Sequence, residues 1–144
     1  MQNRQSGMSL IELMTVVVIV AILGAIAVPS YRGYMLRANR TDAKTALMFY
    51  ASALERCYTR YNSYAYNADP ALGCDVNFPQ TSDNGHYQIS VTDALGKRSA
   101  TEFKLVAIPQ GGQAADTGCG KLTLDNVNTR DKSGTKTLAE CWGK

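Results

Sequence analysis

From Met8 to Val28 the chain is apolar almost without interruption: of 21 residues, only Glu12 is charged. At about 1.5 Å per helical residue this run is about 30 Å long, enough to cross a bilayer core. The stretch Val16-Val17-Val18-Ile19-Val20 would read as strand in water. In lipid a helix is the only single segment that satisfies its own backbone, so the run predicts a helix. Gly24 and Pro29 are weak points, and Pro29 is expected to kink the helix because it removes one hydrogen bond and crowds the preceding turn. Beyond Pro29 the pattern becomes one-sided. Leu36, Ala43, Leu47, Tyr50, Leu54, Cys57 and Tyr61 are spaced 7, 4, 3, 4, 3 and 4 apart. That spacing is one face of a helix. Arg32, Arg37, Arg40, Asp42, Lys44, Glu55 and Arg56 fall largely off the stripe. One helix is therefore expected from Met8 to about Tyr61, apolar all round in its first half and half-buried in its second.

Asn62 to Gly85 reads as irregular, with Pro70, Gly73, Pro79 and Gly85 among Asn, Asp and Ser. Tyr58, Tyr61, Tyr64 and Tyr66 are expected to pack this loop onto the helix. Then alternation sets in. Tyr87, Ile89 and Val91 alternate with polar neighbours, as do Phe103, Leu105 and Ala107, and Leu122 and Leu124. A fourth short strand is expected over Thr135 to Leu138. Glycines punctuate between these runs. Four short strands with turns give an antiparallel sheet with one face covered by the helix, an α+β fold.

Composition adds limits. The 144 residues suit one domain, and about 115 remain outside the apolar arm and what precedes it, enough for a small core. Charged residues are 19% and hydrophobic ones 45%, so the bulk is globular rather than disordered. A formal net charge of +3 does not mark a nucleic-acid binder. Lys97-Arg98, Lys132 and Lys136 could still contribute to a basic patch.

The N-terminal pattern is specific. A short polar leader ends at Gly7, the apolar run opens at Met8, and Glu12 stands at its fifth position. A secretory signal would have a shorter apolar core, roughly 7–15 residues, with its small-residue site after it. The segment resembles the start of a type IV prepilin. The resemblance implies cleavage by a prepilin peptidase between Gly7 and Met8, N-methylation of Met8, and an assembly role for Glu12. The family most often has Phe where this chain has Met8. The stretch Cys119-Gly120-Lys121-Leu122-Thr123-Leu124-Asp125, with Gly134-Thr135-Lys136-Thr137 and Cys141-Trp142, resembles the C-terminal region of PilE-like minor pilins. The implied fold is the pilin lollipop, a long N-terminal helix packed on a four-stranded sheet. Residues 1–7 would be leader, 8–29 the transmembrane and filament-core half of the helix, and 30–144 the globular head.

Four cysteines in an exported chain suggest two disulfides and an oxidising compartment. Three connectivities are open. Cys57–Cys74 with Cys119–Cys141 is favoured, because each closes one local unit. The first would clamp the loop to the helix and the second would clip the last hairpin to the body. The compartment places the head in the periplasm before assembly and outside the cell afterwards. The positive-inside bias disagrees, since Arg32, Arg37 and Arg40 outnumber the leader's Arg4. The cysteines and the resemblance outweigh it.

Catalytic chemistry is missing. His86 is the only histidine and has strand neighbours. There is no Ser/His/Asp set, phosphate loop or paired C-x-x-C. Asp125, Asn126, Asn128 and Asp131 do not meet the register of a calcium loop and read as a solvated turn. No enzyme activity, metal or cofactor is expected. The reading is structural: a type IV pilus subunit, a minor pilin engaged in pilus assembly, motility or adhesion. Expected partners are other pilin subunits, the prepilin peptidase, the inner-membrane assembly platform and, before assembly, the membrane; nucleic acid is not expected. The alternatives are a type II secretion pseudopilin and an adhesive or DNA-uptake pilin.

Overall fold

A computed structural model describes residues 8–91 and 96–143. The chain divides into two units, residues 1–35 and 36–144. Helix α1, Leu10–Tyr61, carries Pro29 in its interior without losing helical assignment on either side. It stops where Asn62 turns left-handed at φ 51, with the Asn62 N–H closing on the Tyr58 carbonyl at 2.7 Å. Asparagine tolerates that backbone better than most residues, so the stop is local.

In the second unit the helical stripe does what its spacing predicts. Ala43, Leu47, Leu54 and Cys57 are buried, and they share one core with Tyr87, Ile89, Phe103, Leu105, Ala107, Leu122 and Leu124. Two charged residues contradict the simple stripe. Arg40 and Asp42, expected in solvent, are 3% and 8% exposed.

The sheet is larger than expected. Among the described residues it has six strands where four were expected. These are β1 (Gln80–Thr81), β2 (Tyr87–Ser90), β3 (Lys97–Arg98), β4 (Phe103–Pro109), β5 (Leu122–Asp125) and β6 (Arg130–Lys132). The order is β1-β2-β4-β5-β6, every pairing is antiparallel, and β3 also pairs with β4. Ser90 lies opposite Val106, and Lys97 opposite Lys104, so β2 and β3 occupy successive stretches of one edge of β4. Three of these strands were not expected: β1 and β3 are two residues long and β6 three, too short for any periodicity to show.

The Thr135–Leu138 strand is absent. The last strand is β6, and Leu138–Trp142 forms a short helix, α2. Its start is a capping box: Thr137 accepts from the Glu140 N–H, while the Glu140 carboxylate accepts from the Thr137 N–H. Thr137-Leu138-Ala139-Glu140 carries that signature in sequence. The alternation also misses one feature. Ser90, Val106 and Thr123 form a cross-strand row on the face away from Phe103 and Leu105, and all three are buried. The centre of the sheet is therefore dry on both faces.

Candidate assembly site

The first unit presents an apolar surface with no cover. Leu10, Ile11, Leu13, Met14, Val16 to Val20, Ile22, Leu23, Ile26 and Val28 are each at least half exposed. Side chains on every side of a helix cannot be buried by packing one face, so this surface calls for a surrounding apolar host. By length and composition α1 is sufficient to cross a membrane. Glu12 lies within this surface, in the first turn of the helix. Thr15, three residues on, donates its hydroxyl hydrogen to the Ile11 carbonyl at 2.8 Å. Met8 is exposed just before the helix. Gly7 lies outside the described residues, and the cleavage point with it. A Cβ placed on Gly24 would meet nothing within 4 Å, so Gly24 leaves a bare notch of backbone on the helix.

The second unit fixes α1 to the rest of its fold through buried polar contacts that the sequence did not reveal. Arg40 grips Asp116 with two parallel bonds, Nε to Oδ2 at 2.6 Å and Nη2 to Oδ1 at 2.8 Å. Its Nη1 donates to the Glu140 carbonyl at 2.9 Å. The carboxylate raises the Arg40 pKa further, through the hydrogen bond first and its charge next, against the opposing effect of burial. Gln113, on a 3₁₀ turn over Gly111–Ala115, joins the cluster. Its Nε2 reaches the Leu36 carbonyl at 3.0 Å and the Tyr87 hydroxyl at 2.9 Å. Burial pushes the Tyr87 phenol up to about 12. Two residues on, Asp42 accepts from the Ser82 hydroxyl at 2.5 Å and from the backbone N–H groups of Asn84 and His86 at 3.3 Å each. The carboxylate thus shapes the turn that leads into β2.

Two disulfides close the edges of this unit. Cys57 at the end of α1 is joined to Cys74, and Cys119 to Cys141 in α2. Tyr58 stacks on Tyr64 at 4.5 Å, Tyr64 meets Phe103 edge-on at 5.0 Å, and the Tyr61 hydroxyl donates to the Pro70 carbonyl. The tyrosines therefore bind the loop to the helix and core. The chain past β6 runs against Gly118: Gly134 lies so close to the Thr117 and Gly118 carbonyls that a Cβ there would collide with backbone.

The cationic residues noted in the sequence separate. Lys97 pairs with Glu102 at 2.6 Å. Arg98 turns inward and donates to the Tyr64 and Val76 carbonyls, each at 2.6 Å. Lys132 Nζ donates to the Gly134 carbonyl. A different grouping forms at α1. Lys44 has its pKa lowered, by burial first and then by Arg40 and Arg130. Arg130 in turn lies over the Trp142 ring at 5.4 Å. Asp125 is committed to its own turn, with Oδ1 accepting from the N–H groups of Val127 and Thr129. Among the described residues no three His, Cys, Asp or Glu converge as metal ligands.

Two family models match. A prokaryotic N-terminal methylation motif covers residues 2–28. A model described as "Type IV minor pilin ComP, DNA uptake sequence receptor" covers residues 29–123. The chain belongs to the type IV pilin family. A fimbrial protein of Moraxella nonliquefaciens is 30% identical over an alignment covering 89% of each chain. The prepilin peptidase-dependent protein D of Escherichia coli is 44% identical over 38% of each chain, so that likeness spans well under half of either protein. The crystal structure of the Neisseria meningitidis non-core minor pilin PilV shares the fold, with TM-score 0.52 and 21% identity over 72% of this chain and 92% of that one.

This pilin is thus a structural pilus subunit, with the long N-terminal helix and antiparallel sheet of its family. The methylation motif implies processing by a prepilin peptidase and other pilin subunits as partners. Its apolar helix fits an anchor in the membrane and a later place in an extracellular pilus.

Proposed function

We propose that this chain is a minor pilin, cut between Gly7 and Met8, whose arm moves from the inner membrane into the hydrocarbon-like core of a filament. The observation that carries the reading is the arm itself: apolar and exposed all round, with one carboxylate one turn from its start. A charged side chain inside a membrane costs on the order of 2.5–3.5 kcal/mol at mid-helix and less near an end. Cleavage after Gly7 would place a cationic amine on Met8, four residues from Glu12. If neighbouring helices stack with a stagger, the Glu12 carboxylate of one subunit meets the Met8 amine of the next. In dry surroundings that pair is strong, and breaking it strands a charge. Pro29 and the bare backbone at Gly24 would let the arm bend during transfer. The head would face the periplasm before assembly, where its disulfides form, and the assembly platform of the inner membrane would extract it. Glu12→Ala is expected to insert into the membrane normally and to be lost from sheared fibres; fibres that contain it at the wild-type level would refute the pairing.

A second reading has an observation of its own. The ComP model is named for a receptor of DNA uptake sequence and matches the head. Lys44 and Arg130 come near one another, with the buried Trp142 ring beneath Arg130, and two grouped cations are of the kind that contacts phosphates. Duplex DNA titrated onto the pilin at several salt concentrations separates the readings. Affinity falling steeply with salt, and weakened by Arg130→Ala, favours the receptor. Binding that is absent at low salt leaves the structural role alone.

A further inference from the structure

Between Leu10 and Val28 the arm carries two polar side chains, Glu12 and Thr15. They are three positions apart on one helix, so they share a face, with Cβ atoms about 5–6 Å from each other. Both are exposed. The Thr15 hydroxyl has already committed its hydrogen to the Ile11 carbonyl at 2.8 Å. A hydroxyl bound in this way has only lone pairs left to offer outward. The ionised carboxylate beside it also accepts and cannot donate. This patch of an otherwise apolar helix therefore presents acceptors alone, and it suits a cation with more than one N–H.

A processed and methylated Met8 supplies that cation. Its protonated amine is a secondary ammonium with two N–H groups, and the methyl group fills the third position with carbon. One N–H goes to Glu12. In a hydrocarbon setting no water is available for the second, and an unsatisfied donor there is costly. We propose that Thr15 Oγ1 accepts the second N–H, so that Glu12 and Thr15 of one subunit together form the receptor for the methylated amine of a neighbouring copy. The two N–H bonds of a tetrahedral nitrogen diverge by about 109°, so with N···O distances of about 2.7–3.2 Å they bridge two oxygens about 4.5–5 Å apart, a separation the Glu12 side chain can set by rotation from a Cβ about 5–6 Å from that of Thr15. The inference rests on the pairing of Glu12 with the Met8 amine. It adds a positioning residue, and it gives a reason for methylation: a primary ammonium would bring a third N–H that this receptor does not accept.

The test compares Thr15→Val, Thr15→Ser, Ser9→Ala and Glu12→Ala in full-length chains. The readout is the amount of each in sheared fibres relative to its membrane pool. Thr15→Val keeps the shape and removes the acceptor, and its fibre fraction is expected to fall about tenfold, the effect of one stranded buried donor. Thr15→Ser keeps the acceptor and is expected to retain wild-type incorporation, as is Ser9→Ala. Wild-type incorporation of Thr15→Val while Glu12→Ala is excluded overturns the Thr15 role and leaves the Glu12 pairing standing. Wild-type incorporation of both variants overturns the two together. Equal losses for Thr15→Val and Thr15→Ser would assign the effect to methyl packing and overturn the hydrogen bond. A loss with Ser9→Ala alone would move the second acceptor to Ser9.

Discussion

At the scale of single residues, the head depends on a few buried polar groups whose partners are distant in sequence. Arg40 and Asp116 are 76 positions apart, and each side chain is 4% exposed. Removing one partner strands the other charge away from water. Asp116→Ala is therefore expected to destabilise the pilin by about 3–5 kcal/mol in urea unfolding, with a smaller loss for Asp116→Asn, which keeps an acceptor. The tyrosines set an alkaline limit. Burial, with help from Glu55, pushes Tyr64 up to about 12, and burial does the same to Tyr87. A folded pKa above the unfolded value of about 10 means stability that is complete below pH 10 and lost as pH rises toward 12. The phenolate absorbance that Tyr64→Phe and Tyr87→Phe each remove should therefore appear together with loss of tertiary signal over that window. If that difference titrates near pH 10 in a folded head, the burial argument fails. Arg40 and Asp42 also show what sequence leaves open. Arg40 stands four residues after Leu36 and three before Ala43, on the stripe itself, and Asp42 is one residue before Ala43; the spacing marks Arg40 as facing the core but names no partner for either charge.

At the scale of elements, α1 was legible throughout. Its first half is apolar on every side, its second half repeats at helical spacing, and its end at Tyr61 coincides with Asn62 in a left-handed turn. The three strands with clear alternation were legible too. The C-terminal segment was not: Thr135 to Leu138 reads as strand by composition, and yet the Thr137–Glu140 capping box starts a helix there. That short helix holds Cys141, and the disulfide to Cys119 clips it down. Replacing both Cys119 and Cys141 with Ser opens a loop of 22 residues and should lower stability by about 3 kcal/mol on the chain-entropy account. An unchanged urea midpoint under non-reducing conditions would mean that the capping box and the Trp142 contacts hold α2 by themselves.

At the scale of the whole molecule, the arm and the head solve different problems. The head buries its core around α1 and a six-stranded sheet. The arm leaves its apolar surface for a host outside the chain. Mass spectrometry of sheared surface fibres is the direct check on processing and assembly together. The expected product begins at Met8 with one added methyl group. An intact leader in the fibres would refute cleavage after Gly7, and a chain found only in the membrane would refute assembly. Orientation has its own check. A periplasm-dependent reporter fused after Lys144 should be active, and activity confined to a cytoplasmic reporter would reverse the topology and favour the positive-inside count.

The sequence by itself determined the long helix, its division into an all-apolar and a one-sided half, and the place of Glu12 one turn from the start of the arm. These are local properties: composition and spacing along one segment decide them, whatever the rest of the chain does. Tertiary structure alone decided how the buried charges are paired, that β1, β3 and β6 extend the sheet, and that Lys44 and Arg130 come together while Lys97 and Arg98 are drawn into other contacts. The reason is that a buried ion pair or a two-residue strand exists only through a partner elsewhere in the chain, and no periodicity records that partner. Glu12 and Thr15 stand between the two cases. Their spacing was in the sequence from the start, but only the bond from Thr15 to the Ile11 carbonyl turned a hydroxyl beside a carboxylate into a pair of acceptors.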